Sequence, residues 1–255
     1  FDPAAMAGVP PNLVVDGILG NMDWLELAVL WTDELGAAEM WYRFLNLGQP
    51  IALEAGTDVM NNLYRTMPVG VSRLYVDTEG RPNMVDYMRA MREGRSFVTT
   101  GPMLLLEVDG VAPGGVVEGG GEVDVAIELA SATAVDTVEV LVNGLVVWSS
   151  DGLESSGSRS LQTTVTVPQG GWVAARARGG QTRWPSADSY PFAHTSPVWI
   201  SEVGSTDVDA RARAAEELLP LLDVAEEVVR RGYGDAPTPS ITADFDAARA
   251  RLEGR

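Results

Sequence analysis

The pattern of hydrophobic and polar positions in residues 1–94 alternates between two periods. The short apolar runs MDWLELAVL, PIALEAGTD and VSRLYVDT have the length of β-strands. The segments LGAAEMWYRFLNLG and NMVDYMRAMREG have helical spacing, and each ends at a glycine, Gly48 or Gly94. The first helix would bury Ala38, Trp41, Tyr42 and Leu45 on one face. Strands that alternate with helices favour a parallel or mixed sheet with crossover connections.

Residues 95–201 change to short strands separated by turn residues. The candidate strand segments are SFVTT, MLLLEVDG, EVDVAIELAS, TVEVLVNGLVVWSS, SLQTTVTVP, GWVAARARG and SPVWIS. Asn143-Gly144 stands between two alternating runs, which is a strong signal of a hairpin. The glycine-rich stretch PGGVVEGGGE reads as a loop. Seven short strand segments within about 100 residues predict a β-sandwich.

Residues 202–255 are predicted to be helical. A first helix carries Leu218, Leu222, Ala225 and Val229 as one apolar stripe, and Pro220 is expected to break or kink it. A second, shorter helix would have Thr242 as its N-cap. We expect the two helices to pack on the preceding domains.

The charge and the missing residue types exclude several classes of function. The formal net charge is −18, and such a field repels nucleic acids and anionic membrane surfaces, so neither is expected as a partner. All 18 basic residues are arginine, which excludes lysine Schiff-base chemistry. The chain has no cysteine, which excludes thiolate metal sites. No apolar run approaches the ~20 residues of a membrane span.

Asp58 has the position most typical of a functional residue, just past the predicted strand PIALEAGTD. In α/β folds, functional side chains gather at the carboxyl ends of strands, and an ionised carboxylate there can bind a divalent cation. Gly-Thr-Asp is also good turn chemistry, so a structural role is the alternative. Asn61 and Asn62 follow closely, and they either hydrogen-bond a substrate or form the turn.

Three further polar residues have structural as well as functional interpretations. Glu26, within an apolar strand, is an edge residue, an ion-pair partner or a functional carboxylate. Arg73, in GVSRLYV, is an ion-pair partner or an anion clamp. His194 is the single histidine, and a catalytic zinc site usually needs three protein ligands, so the chain alone cannot form a histidine-rich zinc site.

Several separated phrases resemble one family. In order along the chain they are WYRFLNLGQPIALEAGTDVM, PVGVSRLYV, MREGRSFVTTGPMLLLEVDG, VEVLVNG, GWVAARARG and FAHTSPVWI. Together they resemble the carboxyl-terminal half of PHP-type (polymerase and histidinol phosphatase) metallohydrolases, in the branch that includes carbaryl hydrolases. The resemblance implies part of a distorted β/α barrel in residues 1–94, a β-sandwich in residues 95–201 and packed helices in residues 202–255.

The resemblance also implies a site and an activity. The family binds divalent metals such as Zn, Mn or Fe, mostly through histidines that begin with a His-x-His pair, and a late Gly-x-Asp element matches Gly56-Thr57-Asp58. A histidine often stands two residues later, where this chain has Met60. The His-x-His pair is absent, so Asp58's partners are expected upstream or in a partner chain. The implied reaction is hydrolysis of a small-molecule ester, carbamate or phosphoester through metal-activated water, with the isolated chain inactive.

Other residues receive secondary roles under this interpretation. Arg73 and Asn61 would contact substrate, and His194 would either approach the metal pocket or join two domains. A partial barrel also leaves an unpaired strand edge, so a partner chain or a homo-oligomer is expected to complete it.

Two rival interpretations remain. In the first, the chain is a non-catalytic binding or assembly module, with Trp148, Trp172 and Trp184 as an aromatic surface. In the second, it is a degenerate homologue whose barrel half only binds a partner. Tryptophans exposed in a line would favour binding, and tryptophans buried between sheets would favour the hydrolase.

Overall fold

The computed structural model describes residues 9–29, 33–59, 68–80, 83–187, 189–234 and 239–254, which form a mixed helix and sheet structure. The helices are α1 (Pro11–Leu19), α2 (Glu34–Asn46), α3 (Met84–Arg92), α4 (Val208–Tyr233) and α5 (Pro239–Leu252). The first strands are β1 (Trp24–Ala28), β2 (Ala52–Ala55), β3 (Arg73–Val76), β4 (Ser96–Thr99), β5 (Met103–Val108), β6 (Val116–Val117) and β7 (Gly121–Ser131). The others are β8 (Val135–Val142), β9 (Leu145–Leu153), β10 (Gly157–Val167), β11 (Trp172–Arg178), β12 (Phe192–Thr195) and β13 (Val198–Ile200).

Strands β1 and β2 pair in parallel and are connected through α2, so they form a βαβ unit. The helix buries its predicted face completely. It ends in a Schellman motif, in which Gln49 N–H donates to Phe44 O and Gly48 N–H donates to Leu45 O. Gly48 has a φ of +84°, which explains the glycine at this position. The predicted helix and its stop are confirmed.

The predicted strand VSRLYVDT exists as β3, but it pairs antiparallel with β4. Within the described residues, parallel pairing in the first segment is therefore limited to β1 and β2. The sheet that contains β3 and β4 continues through β12 to the central strand β11. Strand β3 thus joins the first segment to the second across the predicted boundary at residue 94. The division into domains stays a prediction.

Two sheets face each other in a sandwich-like arrangement. One has the order β10–β7–β5, and the other has eight strands around β11, with β8 and β9 on one side of it. Apolar residues of both sheets fill the space between them, among them Leu106, Ile127, Val140, Val173 and Ile200. Every predicted strand segment is present, and β6 and β12 are strands that the sequence pattern did not predict.

The predicted Asn143-Gly144 hairpin joins β8 to β9. The φ angles of 50° for Asn143 and 83° for Gly144 are those of a type I′ turn. A Cβ atom at Gly144 would lie 2.8 Å from Cβ of Tyr42, so the turn also rests directly against α2.

Helices α4 and α5 form the predicted C-terminal pair, with the stripe of α4 buried or half-buried. Of the two effects predicted for Pro220, a break is wrong, because α4 continues through it, with the buried Leu218, Leu221 and Leu222 holding both sides against the core. The kink stays a prediction. The N-cap prediction for Thr242 is also wrong. Helix α5 begins earlier, at Pro239, because a proline at the first position loses no helical hydrogen bond.

A second core unites the helices with the outer face of the large sheet. It contains residues of α1, α2, β1, β2, α4 and α5 together with Leu141, Trp172 and Phe192 of the sheet. Helix α1 was not predicted from the sequence. It packs closely on α2 because Gly17 has no side chain, and a Cβ atom there would lie 2.3 Å from the ring of Phe44.

Candidate functional site

The carboxyl ends of β1 and β2 meet the beginning of β3 at one edge. Ala28 O, at the end of β1, accepts hydrogen bonds from Gly56 N–H at 3.2 Å and from the Ser72 hydroxyl. Asp58 follows β2 by three residues, is exposed and has a φ of 46°. The structure therefore places Asp58 at the position expected for it, beyond the carboxyl end of a parallel strand.

Asp58 and Glu54 both lie close enough to Glu26 for their charges to act on it. Glu26 and Glu54 are paired in register on β1 and β2. The Glu26 side chain reaches toward Gly56, where an added Cβ atom would lie 3.0 Å from Glu26 Oε1. Partial burial, and then the charges of Glu54 and Asp58, raise the pKa of Glu26 above its ordinary value. Like charges that converge in this way would be stabilised by a cation.

The sequence analysis did not single out Glu54. A signal was present, because the runs WLELA and ALEA each place a glutamate directly after a leucine. In parallel strands that pair in register, this repetition brings the two carboxylates side by side. The set of donors is nevertheless incomplete, because the described residues contain no group of three or more histidine, cysteine, aspartate or glutamate side chains that could hold a metal ion.

Arg73 begins β3 at the same edge. Its Nη1 donates to Gly70 O, and its guanidinium lies 5.7 Å from the centre of the Tyr75 ring. Its buried Nε has no hydrogen-bond partner within the described part of the chain. Among those residues Arg73 forms no ion pair with Asp58, so its cationic head is held in place mainly by backbone and ring contacts. Asn61, Asn62 and Met60 lie outside the described residues.

His194 lies away from this edge, on β12, and is completely buried. Its Nε2 is 2.6 Å from the Tyr42 hydroxyl of α2, and its Nδ1 is 2.8 Å from Thr195 O. Since a carbonyl can only accept, the proton lies on Nδ1 and the Tyr42 hydroxyl donates to Nε2. Both ring nitrogens are thereby occupied by protein groups, which favours the joining role for His194 over contact with a metal or substrate.

A buried ion pair extends this network. Arg176 Nη1 lies 3.4 Å from the Tyr42 hydroxyl, and its Nε donates to Glu139 at 2.7 Å. Burial would raise the pKa of Glu139, but hydrogen bonds from Arg178 and Arg176 hold that pKa below its ordinary value. Burial and then the charge of Arg176 lower the pKa of His194 to about 3, so the imidazole stays neutral.

A second group of buried polar contacts fixes α2 to the sheet. Trp172 Nε1 donates to Asn46 Oδ1 at 2.8 Å, and Asn46 Nδ2 donates to Asn143 O at 3.0 Å. Asn143 Nδ2 in turn donates to the Asp207 carboxylate, the N-cap of α4, at 2.7 Å. The βαβ unit, the hairpin and the C-terminal helices are thus held in one arrangement, which fixes the strand ends that carry the carboxylates.

The three tryptophans proposed for an aromatic surface do not lie together on the surface. Trp172 is completely buried, Trp148 is half-buried against the core between the sheets, and Trp184 is 71% exposed. This arrangement removes the basis for a binding surface made of these residues.

No protein-family model matches the chain, and a search of curated proteins finds no significant match. None of the helices in the described ranges is long and apolar enough to cross a membrane.

Proposed function

We propose that this chain is the carboxyl-terminal portion of a metal-dependent hydrolase that acts on an ester, carbamate or phosphoester. The observation that carries the proposal is the edge where Asp58 follows a parallel strand and its charge acts on Glu26, which is paired with Glu54 of the neighbouring strand. The sequence resemblance to PHP-type metallohydrolases supports it, because Gly56-Thr57-Asp58 matches the element that supplies a metal ligand in that family. Under this proposal, β1, α2 and β2 belong to a distorted β/α barrel.

The carboxylates at this edge are of a type that binds divalent cations, but the described residues provide too few of them to hold a metal ion alone. Carboxylate oxygens suit Mn and Fe(II) as well as Zn, and the mutual repulsion at Glu26 is the kind that a cation relieves. Asp58 would be the ligand, and the histidines would come from upstream sequence or a partner chain, because the single histidine of this sequence is the buried His194. When bound, the metal would lower the pKa of a coordinated water and so supply the nucleophile.

The other residues of the edge would act on the substrate. Arg73 presents a guanidinium that can bind a phosphoryl or carbonyl oxygen, and Asn61 follows Asp58 closely enough in sequence to contribute an amide. His194 would act only through the position of α2. Each of these roles belongs to the proposal.

An incomplete barrel needs a partner. Within the described part of the chain, β1 pairs only with β2, so its other edge has no strand beside it. An unpaired parallel strand tends to recruit another chain. We infer that a partner chain, or a second copy of this one, covers that edge and supplies the missing ligands.

The test is hydrolysis of aryl phosphate, aryl ester and aryl carbamate substrates with and without added Mn²⁺ or Zn²⁺. The chain alone should show no metal-dependent turnover, and a longer form that carries the upstream histidines should show it. In the longer form, Asp58→Asn should lower kcat/KM by at least about a hundredfold, a loss typical for a group that holds a catalytic metal. Chelator-sensitive turnover by the chain alone, or full activity of Asp58→Asn, would contradict the proposal.

Asp77→Asn is the matched control for that substitution. Asp77 is also an exposed aspartate just past a strand, but it follows β3 and hydrogen-bonds Glu79 N–H. Its amide analogue keeps that acceptor, so activity should stay within about twofold of the parent.

A further inference from the structure

A cleft of about 350 Å³ lies between the two sheets. One wall is formed by Tyr75 and Phe97, whose rings stack with centroids 5.0 Å apart. The opposite wall is formed by β5, including the buried side chains of Leu104 and Leu106. The volume is large enough for one aromatic or branched aliphatic side chain and part of a backbone.

One edge of β5 is free at this cleft. Asp109 N–H donates to Asp124 O, in line with the antiparallel register between β5 and β7. Because antiparallel pairs alternate, residues 103, 105 and 107 direct their backbone groups toward β7. The backbone groups of Leu104 and Leu106 face the other way, and they have no hydrogen-bond partner in the described ranges.

The rim of the cleft is acidic. Asp77 and Glu107 line it, are exposed and form no ion pair with any residue that the structure describes. Arg95 is the one arginine among the described residues that line the cleft, and it is already bound to Glu79 and to Glu93. Charge complementarity therefore favours a basic occupant over an acidic one.

We propose that β5 binds an extended, basic peptide segment of a partner protein. The segment adds a parallel strand to β5 through the backbone groups of Leu104 and Leu106, so that the residue opposite Leu106 shares its face while the two neighbours of that residue supply the hydrogen-bonding groups. It inserts one large apolar side chain between Leu106 and the Tyr75–Phe97 pair, and it places basic side chains near Asp77 and Glu107. This mode of recognition draws affinity from main-chain hydrogen bonds and specificity from alternate side chains. The proposal does not depend on the proposed hydrolase function.

The probe is the peptide Arg-Val-Phe-Val-Arg, acetylated and amidated at its ends, which spans about 17 Å when extended and so matches the length of β5. Titration followed by amide chemical shifts should move the signals of residues 103–108 and 75–77. Methylation of the two valine nitrogens, which removes the donors of a pairing strand, should weaken binding at least about tenfold. Replacement of both arginines by glutamate should weaken it to a similar extent.

A charge reversal on the protein tests the acidic rim. Glu107→Arg should weaken the arginine peptide at least about fivefold, whereas Glu154→Arg, the same change at an exposed position after β9, should leave it unchanged. Three results would overturn the proposal. The first is the absence of any amide chemical-shift change at millimolar peptide. The second is equal affinity for the methylated peptide, which indicates a small-molecule cavity. The third is a dependence of the β5 chemical shifts on protein concentration without peptide, which indicates pairing with a second copy.

Discussion

The buried His194 makes stability depend on pH in a way that can be calculated. Its pKa is about 3 in the folded protein, against 6.5 for the free side chain. Below pH 6.5 the imidazole of the unfolded chain therefore binds a proton, whereas the imidazole of the folded chain stays neutral. This difference does not affect stability above pH 6.5, and it lowers the free energy of unfolding progressively as the pH drops from 6.5 toward 3.

The size of the effect follows from the two pKa values. One pKa unit corresponds to about 1.4 kcal/mol, so between pH 8 and pH 5 the free energy of unfolding should fall by about 2 kcal/mol from this group. Because the chain has a single histidine, no second imidazole contributes. Carboxylates also begin to bind protons near pH 5, so the effect of His194 has to be measured against a variant that keeps every carboxylate.

The assay compares urea unfolding of the parent and of His194→Gln at pH 8, 7, 6 and 5. Glutamine does not titrate, and both proteins share all carboxylates, so the difference between their pH slopes isolates the imidazole. The variant should be less stable at pH 8, because the buried ring contacts with Trp41 and Tyr42 are lost, but the gap in the free energy of unfolding should narrow by about 2 kcal/mol by pH 5.

Proton NMR gives an independent readout, since the Cε1–H signal of the single histidine is unique. Its position should stay constant between pH 8 and pH 5. A titration with a midpoint near pH 6.5, or identical pH slopes for the parent and His194→Gln, would refute the placement of His194 in the core.

Three further predictions concern packing and association. Gly144→Ala should lower the free energy of urea unfolding by more than about 1 kcal/mol, because the φ of Gly144 is +83° and the new methyl group meets Tyr42. Gly157→Ala, where the surrounding space is open, should change it by no more than about 0.5 kcal/mol. Equal effects of the two would contradict the described turn. Leu222→Ala should cost about 2–5 kcal/mol by the same measurement, against about 0.5 or less for Val228→Ala, which is 38% exposed. Sedimentation should detect an oligomer, and a stable monomer at high concentration would argue against the open edge of β1 as an interface.

The elements with strong local signals could be predicted from the sequence. The face of α2, its stop at Gly48 and the Asn143-Gly144 hairpin each rest on local chemistry, namely helical periodicity, a left-handed glycine and a type I′ turn. Proline positions were harder. Pro220 lies inside a helix because tertiary contacts outweigh the lost hydrogen bond, and Pro239 starts the helix for which the sequence pattern predicts Thr242 as the N-cap.

The candidate site was predictable only in part. The position of Asp58 after a strand could be predicted, because turn residues after an apolar run mark a strand end. Glu54 could not be related to Glu26 without the parallel pairing of β1 and β2, which is a long-range property. The role of His194 also needed the fold, because its partner Tyr42 lies 152 residues away in the chain.

The divalent-cation site that we propose at the edge around Asp58 can be tested directly with Mn²⁺. At micromolar to millimolar concentrations this ion broadens amide NMR signals near it and so locates even a weak site. We expect the signals of Glu26, Glu54 and Asp58 to broaden first, and Asp58→Asn to remove this preference while Glu154→Gln does not. Broadening spread evenly over the acidic surface, or centred elsewhere and unaffected by Asp58→Asn, would contradict it.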